Sequence, residues 1–109
     1  MKTVLVTGSN GLLGQKITEK IQKEGGVNLI ATSKGANRFP TTEGYVYAEM
    51  DILNAVQVKQ VVEKYQPDTI IHTAAMTNVD TCHVQRELAY QLNVLAVQTL
   101  LSLCEERNI

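Results

Sequence analysis

Tryptophan is absent from this chain, phenylalanine occurs once, and only two cysteines and two prolines are spread over 109 residues. Cys82 and Cys104 have no metal-ligand pattern around them, so neither a disulfide scaffold nor a metal site is expected. Reduced thiols fit a cytoplasmic setting. No stretch approaches the ~20 apolar residues of a membrane span, and the glycine-bearing segment begins too close to Met1 for a signal peptide. Acidic and basic side chains nearly balance, 11 against 10, and the cations form no block. Binding to nucleic acid or to an anionic membrane therefore has no electrostatic support.

Hydrophobic residues make up 44% of the chain and charged ones 19%, the balance of a globular protein. The length suits one domain, residues 1–109, that buries roughly two thirds of its unfolded surface. Lys2 to Val6 is a short apolar run suited to a buried parallel strand. Leu13, Ile17 and Ile21, with charges between them, predict an amphipathic helix closed by Gly25-Gly26. Val27 to Thr32 and Tyr45 to Met50 read as strands, separated by a polar loop from Ser33 to Gly44. Val58, Val61, Val62 and Tyr65 keep a helical rhythm that must stop before Pro67. Thr69 to Ala74 is a fourth strand, and Gln85 to Glu106 a long final helix.

This β-α-β-β-α-β-α order predicts an α/β fold, a Rossmann-like doubly wound parallel sheet of about four strands with right-handed crossovers. The expected strand order is 3-2-1-4. Between Glu87 and Glu105 the last helix has no charged residue, so it is expected to be covered on both sides. Arg107 and Asn108 suit a helix end, with Asn as a C-cap. A doubly wound sheet would begin another strand after Ile109, so the chain reads as the N-terminal part of a longer protein.

Chemistry concentrates where the first strand meets the first helix. Gly8, Gly11 and Gly14 are spaced G-x-x-G-x-x-G between a predicted strand and a predicted helix, which makes them a dinucleotide-binding fingerprint. Gly8 would turn the chain, Gly11 would admit a pyrophosphate to the helix N-terminus, and Gly14 would let helix and strand pack closely. In such folds a carboxylate ~20 residues on binds the adenosine ribose. None lies between Glu24 and Glu43; Ser33 and Lys34 stand at the strand end, with Arg38 close by. Two cations suit a 2′-phosphate, which points to NADP, with NAD possible as the alternative. The alternative reading of Lys34 and Arg38 is as solvated loop charges.

The glycine spacing resembles the extended branch of the short-chain dehydrogenase/reductase family. "PDTIIHTAA" resembles its fourth strand, and "MDI" its third-strand end. "AAMTNVDTC" followed by "AYQLNV" is similar to the dTDP-4-dehydrorhamnose reductase family, with Ala74, Ala75, Thr77, Val79, Asp80 and Asn93 fitting and His83 standing in place of an expected Glu. The resemblance implies a cofactor site made of Gly8, Asn10, Gly11, Leu12, Leu13, Gly14, Ser33, Lys34, Arg38, Asp51, Ile52, Ala74, Ala75, Thr77 and Asn93. It also implies a nucleotide-linked sugar as substrate, while the edge position of the fourth strand and the charge-free last helix point to a homo-oligomer. Epimerases and dehydratases of nucleotide sugars share this half, as does a non-catalytic regulatory subunit similar to that of methionine adenosyltransferase.

Plainer roles stand beside these. Asp51 could cap the next helix, Thr77 and Asp80 could shape a loop, and Asn93, if buried, needs a structural partner. His72 reads as a satisfied core histidine and His83 as a surface residue. The family's catalytic Tyr-x-x-x-Lys is missing: Tyr45, Tyr47, Tyr65 and Tyr90 are followed four positions on by Glu49, Asp51, Thr69 and Val94. These 109 residues are therefore expected to bind cofactor without completing a reaction.

Overall fold

A computed structural model of the chain describes residues 1–38, 43–74 and 86–109. Four parallel strands form one sheet: β1 (Lys2–Thr7), β2 (Val27–Ser33), β3 (Val46–Glu49) and β4 (Thr69–His72). Their order is β3-β2-β1-β4, the order expected for this topology. Between them run α1 (Leu12–Glu24) and α2 (Ala55–Tyr65). The chain closes with α3 (Arg86–Tyr90), a wider π-helical turn (Gln91–Leu95) and α4 (Ala96–Arg107).

The crossovers β1-α1-β2 and β3-α2-β4 travel across the sheet in opposite directions. Both being right-handed, α1 lies on one face and α2 on the other. Gly14 and Thr18 are the buried residues of α1, which packs on β1 and β2. On the opposite face Val58 and Val62 of α2 meet Ala96, Leu100 and Leu103 of α4, and Met50, Ile52 and Ile70 join them. Register puts Leu5 beside both Ile30 and Ile70, and of these three Ile70 packs against the cluster.

Local signals explain the boundaries. Gly25 ends α1 at φ 67°, and its N–H bonds the Ile21 carbonyl. The left-handed Gln66 ends α2 just ahead of Pro67. Asn108 caps α4 in the left-handed region (φ 57°), as its residue type suggested. The third and fourth strands are shorter than Tyr45–Met50 and Thr69–Ala74, the spans the sequence suggested. Pairing stops at His72, beyond which the Thr73 N–H is shared between the Thr7 hydroxyl (3.0 Å) and the Thr7 carbonyl (3.3 Å).

The final helix departs from expectation twice. Leu88, Leu92, Ala96 and Leu100 recur every four residues, a step that overshoots an α-helical turn of ~3.6. A π turn takes up the excess and keeps these residues on one side. Nor is the helix covered all round: Leu103 is buried and Leu92 half-buried, while Leu95 and Leu101 are exposed. Among the described residues only one face of the helix has something to pack against.

Candidate functional site

The carboxyl ends of the strands converge on a cavity of ≈ 340 Å³. Its wall on the β1 side is Thr7, Gly8 and Gly11, and on the β4 side Thr73 and Ala74. Ser33 and Lys34 close the β2 side, Asp51 and Ile52 the β3 side, and Leu88 and Leu92 form an apolar lid edge from the last helix. In an open parallel sheet, this crevice is where ligands bind.

The glycine loop is built as its spacing demands, with one refinement. Gly8 has φ 68°, and a Cβ there would lie 2.7 Å from both the Ala74 nitrogen and the Thr73 hydroxyl. A Cβ on Gly14 would collide with the Gly8 carbonyl, so this glycine seats α1 on the loop before it rather than on a strand. Gly11 is different. Its backbone is extended, and a Cβ would meet only the Gly8 oxygen, at 3.3 Å. A side chain there needs the Gly8 carbonyl to give by only a few tenths of an ångström, far less than at Gly8 or Gly14, and it would stand at the cavity wall.

Gly11 serves as the N-cap of α1, offers no side-chain cap, and no acidic residue occupies the first turn. The Gly11 N–H is taken by the Gly8 carbonyl (3.0 Å), and the helix ladder begins with Gln15 N–H to Gly11 O (2.9 Å). The N–H groups of Leu12, Leu13 and Gly14 thus form the open, positive end of the helix dipole. Leu12 and Leu13 contribute through their backbone, since both side chains are exposed.

Asn10 does something the sequence did not suggest. Its side-chain amide donates to the Ala36 carbonyl (2.8 Å) and, at 3.4 Å, to that of Lys34. Its Oδ1 accepts the Arg38 N–H (2.7 Å). The residue ties the glycine loop to the loop after β2 and does not line the cavity. Tyr47 grips the same loop from β3, its hydroxyl lying 3.0 Å from the Ser33 carbonyl and 2.5 Å from that of Gly35. Burial pushes the Tyr47 phenol above its ordinary pKa, so it stays a proton donor.

Asp51 is not the cap of α2; Asn54 is, accepting the Gln57 N–H at 3.1 Å. The Asp51 carboxylate instead accepts the Leu53 N–H (3.0 Å), shaping the turn beside the cavity. Ile52 faces the core as well as the cavity. Lys34 and Arg38 are both exposed, and only Lys34 reaches the cavity wall. Asn93 sits exposed on the π turn, away from that wall, rather than buried. Ala75, Thr77, Asp80, Cys82 and His83 lie outside the described residues.

His72 is only half satisfied. Its Nδ1 lies 2.6 Å from the Thr7 hydroxyl, while among the described residues Nε2 is buried without a partner. Burial lowers its pKa and keeps the ring neutral. Residues that the sequence reading missed, Thr7, Thr32, Met50 and Thr73, share one signal: each lies at or just past the carboxyl end of a strand. Among the described residues no cluster of acidic, His or Cys side chains could hold a metal. No described helix is long and apolar enough to cross a membrane.

A parallel sheet of this order, with a glycine turn feeding an uncapped helix N-terminus, defines the Rossmann-like class of α/β proteins. The chain belongs to the family described as the RmlD substrate binding domain, which matches residues 1–109. It is 31% identical over 104 residues to a probable low-salt glycan biosynthesis reductase of Haloferax volcanii, covering 95% of this chain and 33% of the relative. It is 29% identical over 100 residues to the dTDP-4-dehydrorhamnose reductase of Aggregatibacter actinomycetemcomitans, covering 92% and 30% respectively. UDP-glucose 4-epimerase from Brucella ovis, solved in complex with NAD, superposes with a TM-score of 0.85 at 25% identity, over 99% of this chain and 33% of the epimerase. The chain spans about a third of the length of the curated relatives it matches.

Proposed function

We propose that residues 1–109 are the cofactor-binding part of a cytoplasmic, homo-oligomeric reductase of nucleotide-linked sugars, with NADP(H) preferred over NAD(H). One observation carries the reading: an uncapped helix N-terminus opens beside the cavity at the strand ends, and Lys34 stands on its rim. The N–H groups of Leu12, Leu13 and Gly14 would hold the pyrophosphate. Thr32, Ser33, Asp51 and Ile52 would flank the adenosine, with Lys34 and Arg38 toward a 2′-phosphate. Ala74, Ala75 and Thr77 complete the proposed set, and Asn93, set away from the cavity wall, is left out of it.

The cofactor, once bound, would supply the hydride that reduces a sugar ketone, by similarity to the rhamnose-pathway reductase the 4-keto carbon of a dTDP-sugar. This chain's own residues bind and orient. Without Tyr-x-x-x-Lys, none of its tyrosines has the partner that would tune it to protonate the carbonyl oxygen, so the 109 residues alone are expected to be inactive.

Calorimetric titration of the full-length protein with NADPH and NADH tests the reading. The expected result is tighter NADPH binding, by roughly tenfold to a hundredfold, since a charged hydrogen bond contributes about 1.5–3 kcal/mol. Lys34→Ala combined with Arg38→Ala should erase the preference. Unchanged discrimination in that double variant would make the two cations ordinary loop residues.

A further inference from the structure

The turn after β2 carries both candidate phosphate-binding cations, and it is held from beneath. Gly35 adopts φ 83°, which reverses the chain between Lys34 and Ala36. The carbonyl groups of Ser33, Lys34, Gly35 and Ala36 all face two side chains. Tyr47 reaches the Ser33 and Gly35 carbonyls, and Asn10 those of Lys34 and Ala36. Asn10 also accepts the Arg38 N–H, so the amide is used at both its ends. Every polar backbone group so fastened points inward, which leaves the Lys34 and Arg38 side chains outward and exposed. Among the described residues neither cation is paired with a carboxylate.

We propose that Asn10 and Tyr47 are positioning residues that set cofactor selectivity, by fixing the Ser33–Arg38 turn so that Lys34 stands at the cavity rim where a 2′-phosphate would sit. The inference rests on the reading of the cavity as a dinucleotide site and adds the device that makes it selective. Asn10 comes from the glycine loop and Tyr47 from the third strand. The pyrophosphate cradle and the ribose end are thereby built as one rigid piece. A flexible turn would let Lys34 follow solvent, and its charge would then discriminate little between the two cofactors.

Tyr47→Phe removes the hydroxyl and keeps the ring, so it loosens the turn while leaving the strand packed. In the full-length protein the variant should bind NADPH about tenfold more weakly and NADH within about twofold of the parent. Lys34→Ala should lower the same ratio, and adding Tyr47→Phe to it should lower the ratio no further, because Tyr47 acts through the Lys34 contact. Parallel weakening of both cofactors in Tyr47→Phe, or losses that multiply in the double variant, would overturn the proposal. Equal affinity of the parent for NADPH and NADH would overturn it too while leaving the dinucleotide site standing. Binding of neither cofactor would remove the site reading itself, and the selectivity device with it.

Discussion

The Thr7 hydroxyl lies 2.6 Å from Nδ1 of His72, at the point where the first and fourth strands end side by side. The same oxygen accepts the Thr73 N–H at 3.0 Å. Nε2, on the other side of the ring, is buried without a hydrogen-bond partner among the described residues. A charged ring carries a proton on each nitrogen, so protonation would leave a buried N–H at Nε2 unsatisfied.

Burial lowers the His72 pKa below its ordinary value near 6.5. In the window between the two values the unfolded chain holds more protons than the folded one, so stability rises with pH. It should therefore be full above about pH 6.5 and fall as pH drops toward the folded-state pKa. His72→Asn, which cannot titrate, should flatten that part of the curve. Urea midpoints from pH 7.5 to pH 5 measure it, and an unaltered slope in the variant would assign the acid sensitivity elsewhere.

The three glycines of the loop should respond differently to the same kind of change. Gly14→Ala forces a methyl into the Gly8 carbonyl, and Gly8→Ala adds a collision with Ala74 to a positive φ. Each should destabilise the fold by about 1–3 kcal/mol, visible as a lower thermal midpoint. Gly11→Val meets only one atom at 3.3 Å and keeps an extended backbone. Its midpoint should stay close to the parent's while calorimetry shows NADPH binding lost. Retained affinity in Gly11→Val would mean that no phosphate passes that position.

Much of this was legible because the signals are local. The glycine spacing, the Gly25 and Asn108 stops and the apolar rhythm of α2 each act within a few residues, and they were enough to give the strand order β3-β2-β1-β4. Asn10 was not legible in the same way. Its partners lie 24 to 28 positions downstream, and only the folded sheet brings them within reach. The π turn escaped for another reason: in an almost charge-free helix the apolar pattern fits several registers, and packing against α2 selects one. Asp51 as a cap failed because Asn54, three residues on, starts the helix instead.

Leu100 and Leu101 are neighbours in sequence with opposite fates. Leu100 is 5% exposed and sits in the cluster with Val58 and Val62, whereas Leu101 is 58% exposed. Leu100→Ala should cost about 2–5 kcal/mol, the usual range for a truncated core leucine. Leu101→Ala should change the stability of an isolated chain by no more than about 0.5 kcal/mol. Chemical denaturation of both variants at one low protein concentration separates the two sites, and equal losses would mean that the helix packs on a different face.

That exposed leucine also bears on assembly. Tyr90, Val94, Leu95 and Leu101 are all more than a third exposed along a helix run with no charge between Glu87 and Glu105. In the described sheet β4 is an edge strand, with one side of its backbone unpaired, a site open to pairing with another chain. Burying one large apolar side chain is worth about 1.5–3 kcal/mol, so two or three together offset much of the entropy of association. The 109-residue chain is therefore expected to self-associate through the helix face, the strand edge or both. Sedimentation over a micromolar concentration series should show a mass above 12.0 kDa that grows with concentration. Leu101→Lys should shift the chain toward monomer without lowering its unfolding midpoint at high dilution, because in a single chain this side chain touches water. A mass fixed at 12.0 kDa throughout the series would defeat the prediction. Association that survives Leu101→Lys would move the contact from the helix face to the β4 edge, where Thr69→Pro, removing a backbone N–H, is the matching test.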